Sequence, residues 1–364
     1  MSAVIHFEER EVIDVHYLPA VSIVHPFEPM MSSKSELEFE LKQAVEKVKS
    51  RLIEEYAVDK VWPVVLRLNG VIQNLNYNTQ KKSVAIFVSP VTEQVYYLNI
   101  PVEERIVIDE TFEIRDVIYS KKQNIEYLVL MLSGERSKMY VAKNSKFTLI
   151  KSNVPDNLVT DEINIDEKEK RLSDPGRGKE QFPDKFLHQM DEDLKLILDA
   201  YKLPVFAVGD ENILERFKKI TKNTEKLLGF IPGNYLDASE KEMNKIFQPY
   251  IQDWKMVKQQ NILQEIGKAV DYERVSFGMQ NVWEAANHKS CRLLVVEKDF
   301  VHPVQAGDKI NKIFPEDIKG DNPFYIKDAV DNVIEKVLQS GGDVEFIENG
   351  MLKDYGRIAL IQYY

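Results

Sequence analysis

The chain has 364 residues, so two or three domains are expected, because ordinary domains run to roughly 100–200 residues. Hydrophobic residues make up 44% and aromatic residues 10%, which is enough to fill packed cores and argues against wholesale disorder. The formal net charge of −11 excludes a basic footprint for nucleic acid over the whole chain. It leaves open docking on RNA through a local basic patch.

The pattern of apolar residues and cysteine disfavours several classes of protein. No apolar run reaches the roughly 18 residues that a membrane helix needs, and no membrane association is expected. The first residues lack a basic region followed by an apolar core, so a secretory signal is not expected. The single Cys291 excludes an internal disulfide framework and a zinc site of four thiolates. The cytoplasm is therefore the expected compartment.

Residues 1–122 are predicted to form an N-terminal α/β domain, with strands around one helix. The helix is predicted from about Ser35 to Tyr56, because Ser35 and Glu38 match a capping box and apolar residues then recur at spacings of three and four. The predicted strands are short runs of β-branched and aromatic residues, at Val21–Val24, Val84–Val88, Tyr96–Leu98 and Ile106–Ile108.

Residues 123–268 are predicted to form a second α/β domain. Its predicted strands and short helix are Tyr127–Leu132, Lys138–Ala142, Phe147–Ile150, Pro204–Val208, Asn212–Ile220 and Leu227–Ile231. A polar loop at 152–183 is expected before a helix that begins near Asp184, and a long helical tract runs from about Ser239 to Val270. The strand–helix–strand alternation indicates an α/β layer, and a polar loop of this length is often functional.

Residues 269–364 are predicted to form a small three-layer α/β/α domain. The expected elements are a helix around Met279–Ala286, a buried strand at Leu293–Val296, a helix from Ile326 to Leu338, and strands at Val344–Phe346 and Ile358–Ile361. Gly341 and Gly342 give a C-cap signal that ends the second helix.

Two motifs of this third segment carry a family resemblance. A Phe277-Gly278 pair opens a helix that is followed by the strand Leu293–Val296, and the chain closes with a strand that starts after Gly356. These motifs resemble the C-terminal domain of archaeo-eukaryotic class I release factors and of Pelota. Residues 1–120 show no resemblance to the codon-reading domain of eukaryotic release factors. That combination is the pattern of the bacterial archaeo-eukaryotic release factor-like group.

The middle segment resembles the central domain of the same family, an α/β fold of the ribonuclease H type. In that domain three strands lead into a loop with a Gly-Gly-Gln motif, and a long helix follows. The resemblance implies that Gln181 is the candidate catalytic residue for hydrolysis of the peptidyl-tRNA ester. Lys179 stands where the family has the second glycine, and Glu180 is an extra residue before the glutamine. Both restrict the backbone that glycine leaves free, which argues against hydrolysis by the family's route.

The same loop is the candidate RNA contact. Between residues 168 and 179 five basic residues stand against two acidic ones, a local net charge of +3. Basic side chains on a loop can neutralise phosphate, although a short charge cluster is by itself typical of a solvated loop. The place of the loop in the resemblance favours an RNA contact. The residues concerned are Lys168, Lys170, Arg171, Gly176, Arg177, Gly178 and Lys179.

The resemblance implies a ribosome-associated translation termination or rescue-like factor, with the ribosome and tRNA as partners and no cofactor. The alternative is a non-catalytic RNA- or protein-binding module on the same scaffold, with a protein partner that binds through residues 269–364. A nuclease in the ribonuclease H-type domain is disfavoured, because the clustered acids fall on the loop rather than on adjacent strands. His188 and Glu192 have the spacing of metal ligands but lack an evident third ligand, so no metal site is predicted; DNA is not an expected partner.

Overall fold

The computed structural model describes residues 18–133, 136–150, 178–288, 290–306, 313–315, 325–326 and 328–363. The chain divides into two compact units, of which the first joins Met1–Gln123 with Asn261–Tyr364 and the second is Asn124–Gln260. Helices and strands alternate in both units, which confirms the predicted α/β class. The predicted domain boundaries near residues 123 and 269 stay a prediction. In the described ranges no helix is long and apolar enough to cross a membrane.

Residues 18–122 form a twisted antiparallel sheet with helices packed against it. The elements are β1 (Ala20–Pro26), α1 (Lys34–Glu55), α2 (Val58–Asn74), β2 (Ser83–Val88), β3 (Glu93–Leu98), β4 (Arg105–Asp109) and α3 (Arg115–Lys122). The sheet has the order β3-β2-β1-β4, and each pair of neighbours is antiparallel. Helices α1 and α2 bury their apolar faces together with one face of this sheet, so this part of the chain has its own core.

The predicted capping box of α1 was wrong by two residues, although the helix begins at Lys34, close to the predicted start near Ser35. Ser33 is the N-cap: its hydroxyl accepts a hydrogen bond from the Glu36 N–H at 3.3 Å, and the Glu36 carboxylate accepts one from the Ser33 N–H at 2.8 Å. The prediction of one helix was also wrong, because α2 follows directly. It is rich in valine and contains Pro63, both of which favour helix weakly, and burial of its apolar face overrides these propensities.

The second unit is a mixed sheet between helices. The elements are β5 (Glu126–Leu132), β6 (Ser137–Lys143), β7 (Lys146–Leu149), α4 (Gly178–Tyr201), β8 (Val205–Gly209), α5 (Glu211–Ile220), β9 (Leu227–Pro232) and the long α6 (Glu240–Asp271), which extends past residue 260. The strand order is β7-β6-β5-β8-β9. Strand β6 runs antiparallel to β5 and to β7, while β8 runs parallel to β5 and β9 runs parallel to β8.

The layers of this unit follow from the alternation of side chains along β5. Leu128 and Leu130 face α4 and α5, whereas Tyr127 and Val129 face the first half of α6. Three strands, a long connection and a long helix thus follow each other as in a ribonuclease H-like domain. Helix α4 begins at Gly178 rather than near Asp184, so the last residues of the predicted loop are helical.

Residues 261–363 form the predicted α/β/α sandwich. The elements are β10 (Val275–Phe277), α7 (Met279–Ala286), β11 (Cys291–Glu297), β12 (Val304–Ala306), β13 (Ile313–Pro315), β14 (Tyr325–Ile326), α8 (Ala329–Gln339), β15 (Asp343–Ile347) and β16 (Ile358–Gln362). The main sheet has the order β10-β16-β11-β15, and β13-β12-β14 form a small separate sheet. Leu294 and Val296 face α7 and α8, while Val295 faces the last turns of α6. The third layer therefore comes from a helix that begins in the preceding unit.

Candidate nucleic-acid interface

The predicted site residues lie on the connection from β7 to α4. Lys168, Lys170, Arg171, Gly176 and Arg177 lie outside the described residues. Gly178, Lys179 and Gln181 fall within the bounds of α4, where the backbone alone is described. Their assigned contacts with RNA and the assigned role of Gln181 stay predictions. The described structure shows how the two ends of this connection are held.

The end of β7 is fixed to the body of the second unit. The Ile150 N–H donates to the Met139 carbonyl at 2.8 Å, so strand pairing continues to the last described residue before the connection. The Phe147 N–H donates to the Glu240 carboxylate at 2.8 Å, and the Phe147 ring packs at 5.8 Å from that of Phe247 on α6. The connection therefore leaves from a rigid edge strand.

Helix α4 is fixed through a buried carboxylate. Asp191 is 5% exposed and accepts hydrogen bonds from the Thr221 hydroxyl, from the Lys222 N–H at 2.9 Å and from the Asn223 side-chain amide at 2.8 Å. Hydrogen bonds to an ionised acceptor are stronger than those between neutral groups. They tie α4 to the segment that follows α5, so the two helices present their outer surfaces as one rigid block.

A second basic segment lies on this block, and sequence reasoning did not single it out. Between residues 216 and 226 five basic residues stand against one acidic residue, a local net charge of +4. All five basic side chains are exposed. The sequence signal that could have identified this segment is its net charge, which is higher than the +3 of the predicted loop. Lysines in the last turn of a helix commonly interact with the helix dipole, however, so by sequence alone such a cluster is typical of a solvated helix end.

The glycines of the C-terminal signature come together in space. Gly278 has a φ of +73°, and its N–H donates to the Tyr355 carbonyl at 3.0 Å. A Cβ atom on Gly356 would lie 2.9 Å from the Gly278 Cα, closer than real Cβ atoms come to backbone. Gly341 has a φ of +80°, and a Cβ on Gly342 would lie 2.9 Å from the Cys291 carbonyl oxygen. The signature residues of this domain are thus required by packing and turn geometry.

Helix α3 packs within the first unit against the edge strand β15 and the start of α8 of the C-terminal sandwich. Arg115 is 6% exposed; its guanidinium pairs with Asp328 at 2.9 Å and donates to the Phe300 carbonyl, and its backbone N–H donates to Asp331 at 2.9 Å. The Tyr119 ring packs at 5.2 Å from that of Phe346. A protein partner of residues 269–364 would therefore have to use another face.

This contact contains carboxyl groups with displaced acidities. Burial raises the pKa of Asp331 well above its ordinary value, and the neighbouring Glu113 raises it further. Burial also raises the pKa of Asp328, against the lowering effect of Arg115.

His188 and Glu192 are exposed on α4. In the part of the chain that the structure describes, no group of three or more His, Cys, Asp or Glu residues is placed to hold a metal ion.

The fold agrees with the release factor-like fold that the motifs predict: an α/β unit with a long connection before its first helix, and a C-terminal sandwich built on signature glycines. Residues 126–289 match the family model described as bacterial archaeo-eukaryotic release factor family 3. The match runs from β5 to the residues just after α7 and includes the whole connection. Residues 126–289 are thus similar to a family of bacterial archaeo-eukaryotic release factors, in agreement with the resemblance that the motifs predict.

The chain also shows distant similarity to several solved structures. An archaeal translation termination factor, aRF1, is 13% identical, with 95% of this chain and 92% of that chain covered and a TM-score of 0.25. Pelota of Archaeoglobus fulgidus is 13% identical over 78% of this chain and 79% of its own, with a TM-score of 0.38. Dom34 of S. cerevisiae is 15% identical over 78% and 74%, with a TM-score of 0.39. No curated protein matches the sequence.

Proposed function

We propose that this protein is a ribosome-associated translation termination or rescue-like factor that works in the cytoplasm, with the ribosome and tRNA as its partners. The observation that carries the proposal is the family match over residues 126–289, which spans the connection between β7 and α4. The sequence between residues 168 and 179, at the end of the connection and the start of α4, has a net charge of +3, and Gln181 follows two residues later. Both ends are held by a rigid unit, as a segment that reaches into an RNA target requires.

Hydrolysis of peptidyl-tRNA would require a water aligned on the ester carbonyl and a donor for the developing oxyanion. Gln181 is the residue to which the resemblance gives that role. Lys179 and Glu180 stand within the first turn of α4, where the backbone is helical and glycine is not needed. This observation favours the second candidate function, a non-catalytic RNA- or protein-binding module on the release factor scaffold.

Two experiments test the proposal in sequence. Purified protein is first sedimented with ribosomes through a sucrose cushion at low salt, and we expect it in the ribosomal pellet. Protein that stays in the supernatant at every salt concentration contradicts ribosome association. Release of labelled peptide from peptidyl-tRNA on ribosomes is then compared between the wild type and Gln181→Ala. Release that falls in the variant assigns hydrolysis to Gln181, whereas wild-type release at the uncatalysed rate assigns the non-catalytic role.

A further inference from the structure

The end of α5 and the turn after it carry a concentrated positive charge. We define the α5 basic surface as the exposed side chains of Arg216, Lys218, Lys219, Lys222 and Lys226. Against the single acidic residue of this segment they give a net charge of +4, in a chain whose total is −11. Such a local reversal of sign creates a positive potential that attracts polyanions.

Most of this charge is not neutralised within the described part of the protein. Arg216 lies 3.7 Å from Asp184 in a pair that is about half exposed on both sides, and such pairs contribute little. The Lys218 ammonium lies over the Phe230 ring, 5.8 Å from its centre. For Lys219, Lys222 and Lys226, no carboxylate of the described residues lies within ion-pair distance. These lysines are available to an external anion.

The backbone that carries these lysines is already ordered. Phe217 is fully buried against α4, and the N–H of Lys222 itself donates to the buried Asp191 at 2.9 Å. A surface that is fixed before binding loses less conformational entropy when it binds. The α5 basic surface is therefore better prepared for a ligand than an isolated charge run on a solvated loop.

The chemistry of the segment distinguishes RNA from a protein partner. Hot spots in protein interfaces are buried aromatic or arginine anchors. Here the large apolar side chain of the segment, Phe217, is buried in the core, and the exposed basic groups are four lysines and one arginine. Lysine is a compact point charge that neutralises phosphate without base specificity. We propose that the α5 basic surface binds the phosphate backbone of ribosomal RNA, an inference that rests on the proposed ribosome association for the identity of the RNA.

The test compares two charge-matched double variants of the full-length protein. Lys219→Glu with Lys222→Glu reverses two charges of the α5 basic surface. Lys241→Glu with Lys245→Glu makes the same change in net charge at exposed positions of α6, on the opposite face of the sheet. Affinity for a fluorescent fragment of ribosomal RNA is measured by anisotropy between 50 and 200 mM salt, and circular dichroism verifies that each variant is folded.

We expect the α5 variant to lose about tenfold or more in RNA affinity, and the slope of log affinity against log salt to fall by about two, one for each phosphate contact. The α6 variant should keep the wild-type slope. Equal losses in the two variants would overturn the inference, because they would reflect net charge alone. Binding of polyglutamate in place of RNA, lost in the α5 variant, would also overturn it and assign an acidic protein partner.

The same variants separate this inference from the proposed function. If the wild type sediments with ribosomes and the α5 variant binds RNA as the α6 variant does, the proposed function stands and the inference fails. If the wild type does not sediment with ribosomes, the proposed function fails, and the anisotropy measurement still decides whether the surface binds RNA phosphate.

Discussion

Charged side chains are used in opposite ways in the two units. In the first unit the buried Arg115 guanidinium pairs with the Asp328 carboxylate, and the Arg115 backbone N–H donates to Asp331. In the second unit the α5 basic surface is exposed, and most of its charges have no carboxylate partner in the described structure. Buried pairs are costly to break, whereas exposed charges contribute little to folding. The buried pair of the first unit therefore stabilises the fold, whereas the exposed charges of the second unit remain available to a partner.

The largest expected effect is the loss of the buried pair. Arg115→Met removes the guanidinium but keeps much of the side-chain volume, and leaves Asp328 buried without its ion-pair partner. We expect a loss of about 3–5 kcal/mol in the free energy of unfolding, measured by urea denaturation. The matched control is Arg67→Met, which breaks an exposed pair with Glu93 at 3.5 Å and should cost less than about 1 kcal/mol. Equal costs would contradict the assignment of a stabilising role to the buried pair.

A second prediction concerns the anchor that joins the two helices of the basic block. Asp191→Ala removes an acceptor shared by Thr221, Lys222 and Asn223. Removing a charged acceptor from buried donors should cost about 1.5–3 kcal/mol. It should also weaken RNA binding, because the backbone of the α5 basic surface loses its attachment. Thermal denaturation and the anisotropy titration check the two effects; unchanged RNA affinity despite lower stability would show that the surface does not depend on this anchor.

The third prediction is a pH dependence within the first unit. A carboxyl group whose pKa is higher in the folded than in the unfolded chain keeps its proton longer in the fold, so stability falls as pH rises above the ordinary value of 3.8. Asp331 is such a group, and Glu113, Asp328 and Arg115 act on it. Asp331→Asn keeps an oxygen that can accept the Arg115 N–H and removes the charge. We therefore expect the melting temperature of the variant to exceed that of the wild type at pH 8, with the difference shrinking toward pH 5. A difference that does not change with pH would refute a titrating Asp331.

The sequence predicts most strands and the C-terminal sandwich, because these depend on local patterns. The short apolar run at Leu293–Val296 is typical of a buried strand, and Gly341 supplies the positive φ that ends α8. Helix α2 was missed because a valine-rich stretch with Pro63 has weak local preference for helix. Three layers were predicted for the sandwich, but the sequence does not say that the last turns of α6 supply one of them, because a helical pattern does not identify the sheet against which it packs.

Only part of the candidate site could likewise be predicted from the sequence. The resemblance points to the connection before α4 through the sequence Gly176-Arg177-Gly178 and Gln181. The basic residues of the α5 basic surface can also be recognised in the sequence, but whether they are neutralised depends on which carboxylates lie nearby in the fold. Neutralisation is a property of the folded chain, since ion-pair partners such as Arg115 and Asp328 are 213 residues apart. Sequence patterns therefore identify the charged residues, and the structure identifies which of them lack an ion-pair partner among the described residues.

The smallest expected effect on folding belongs to the α5 basic surface itself. Lys219→Ala removes one exposed ammonium group, and surface substitutions of this kind usually change the free energy of unfolding by no more than about 0.5 kcal/mol. If the surface binds phosphate, the same substitution should lower the salt slope of RNA binding by about one. Lys219→Ala should therefore change RNA affinity far more than stability, whereas Arg115→Met should mainly change stability. Urea denaturation and anisotropy on the same sample measure both; a loss of stability of several kcal/mol from Lys219→Ala would show that this lysine has a structural partner and would remove the contrast between the two units.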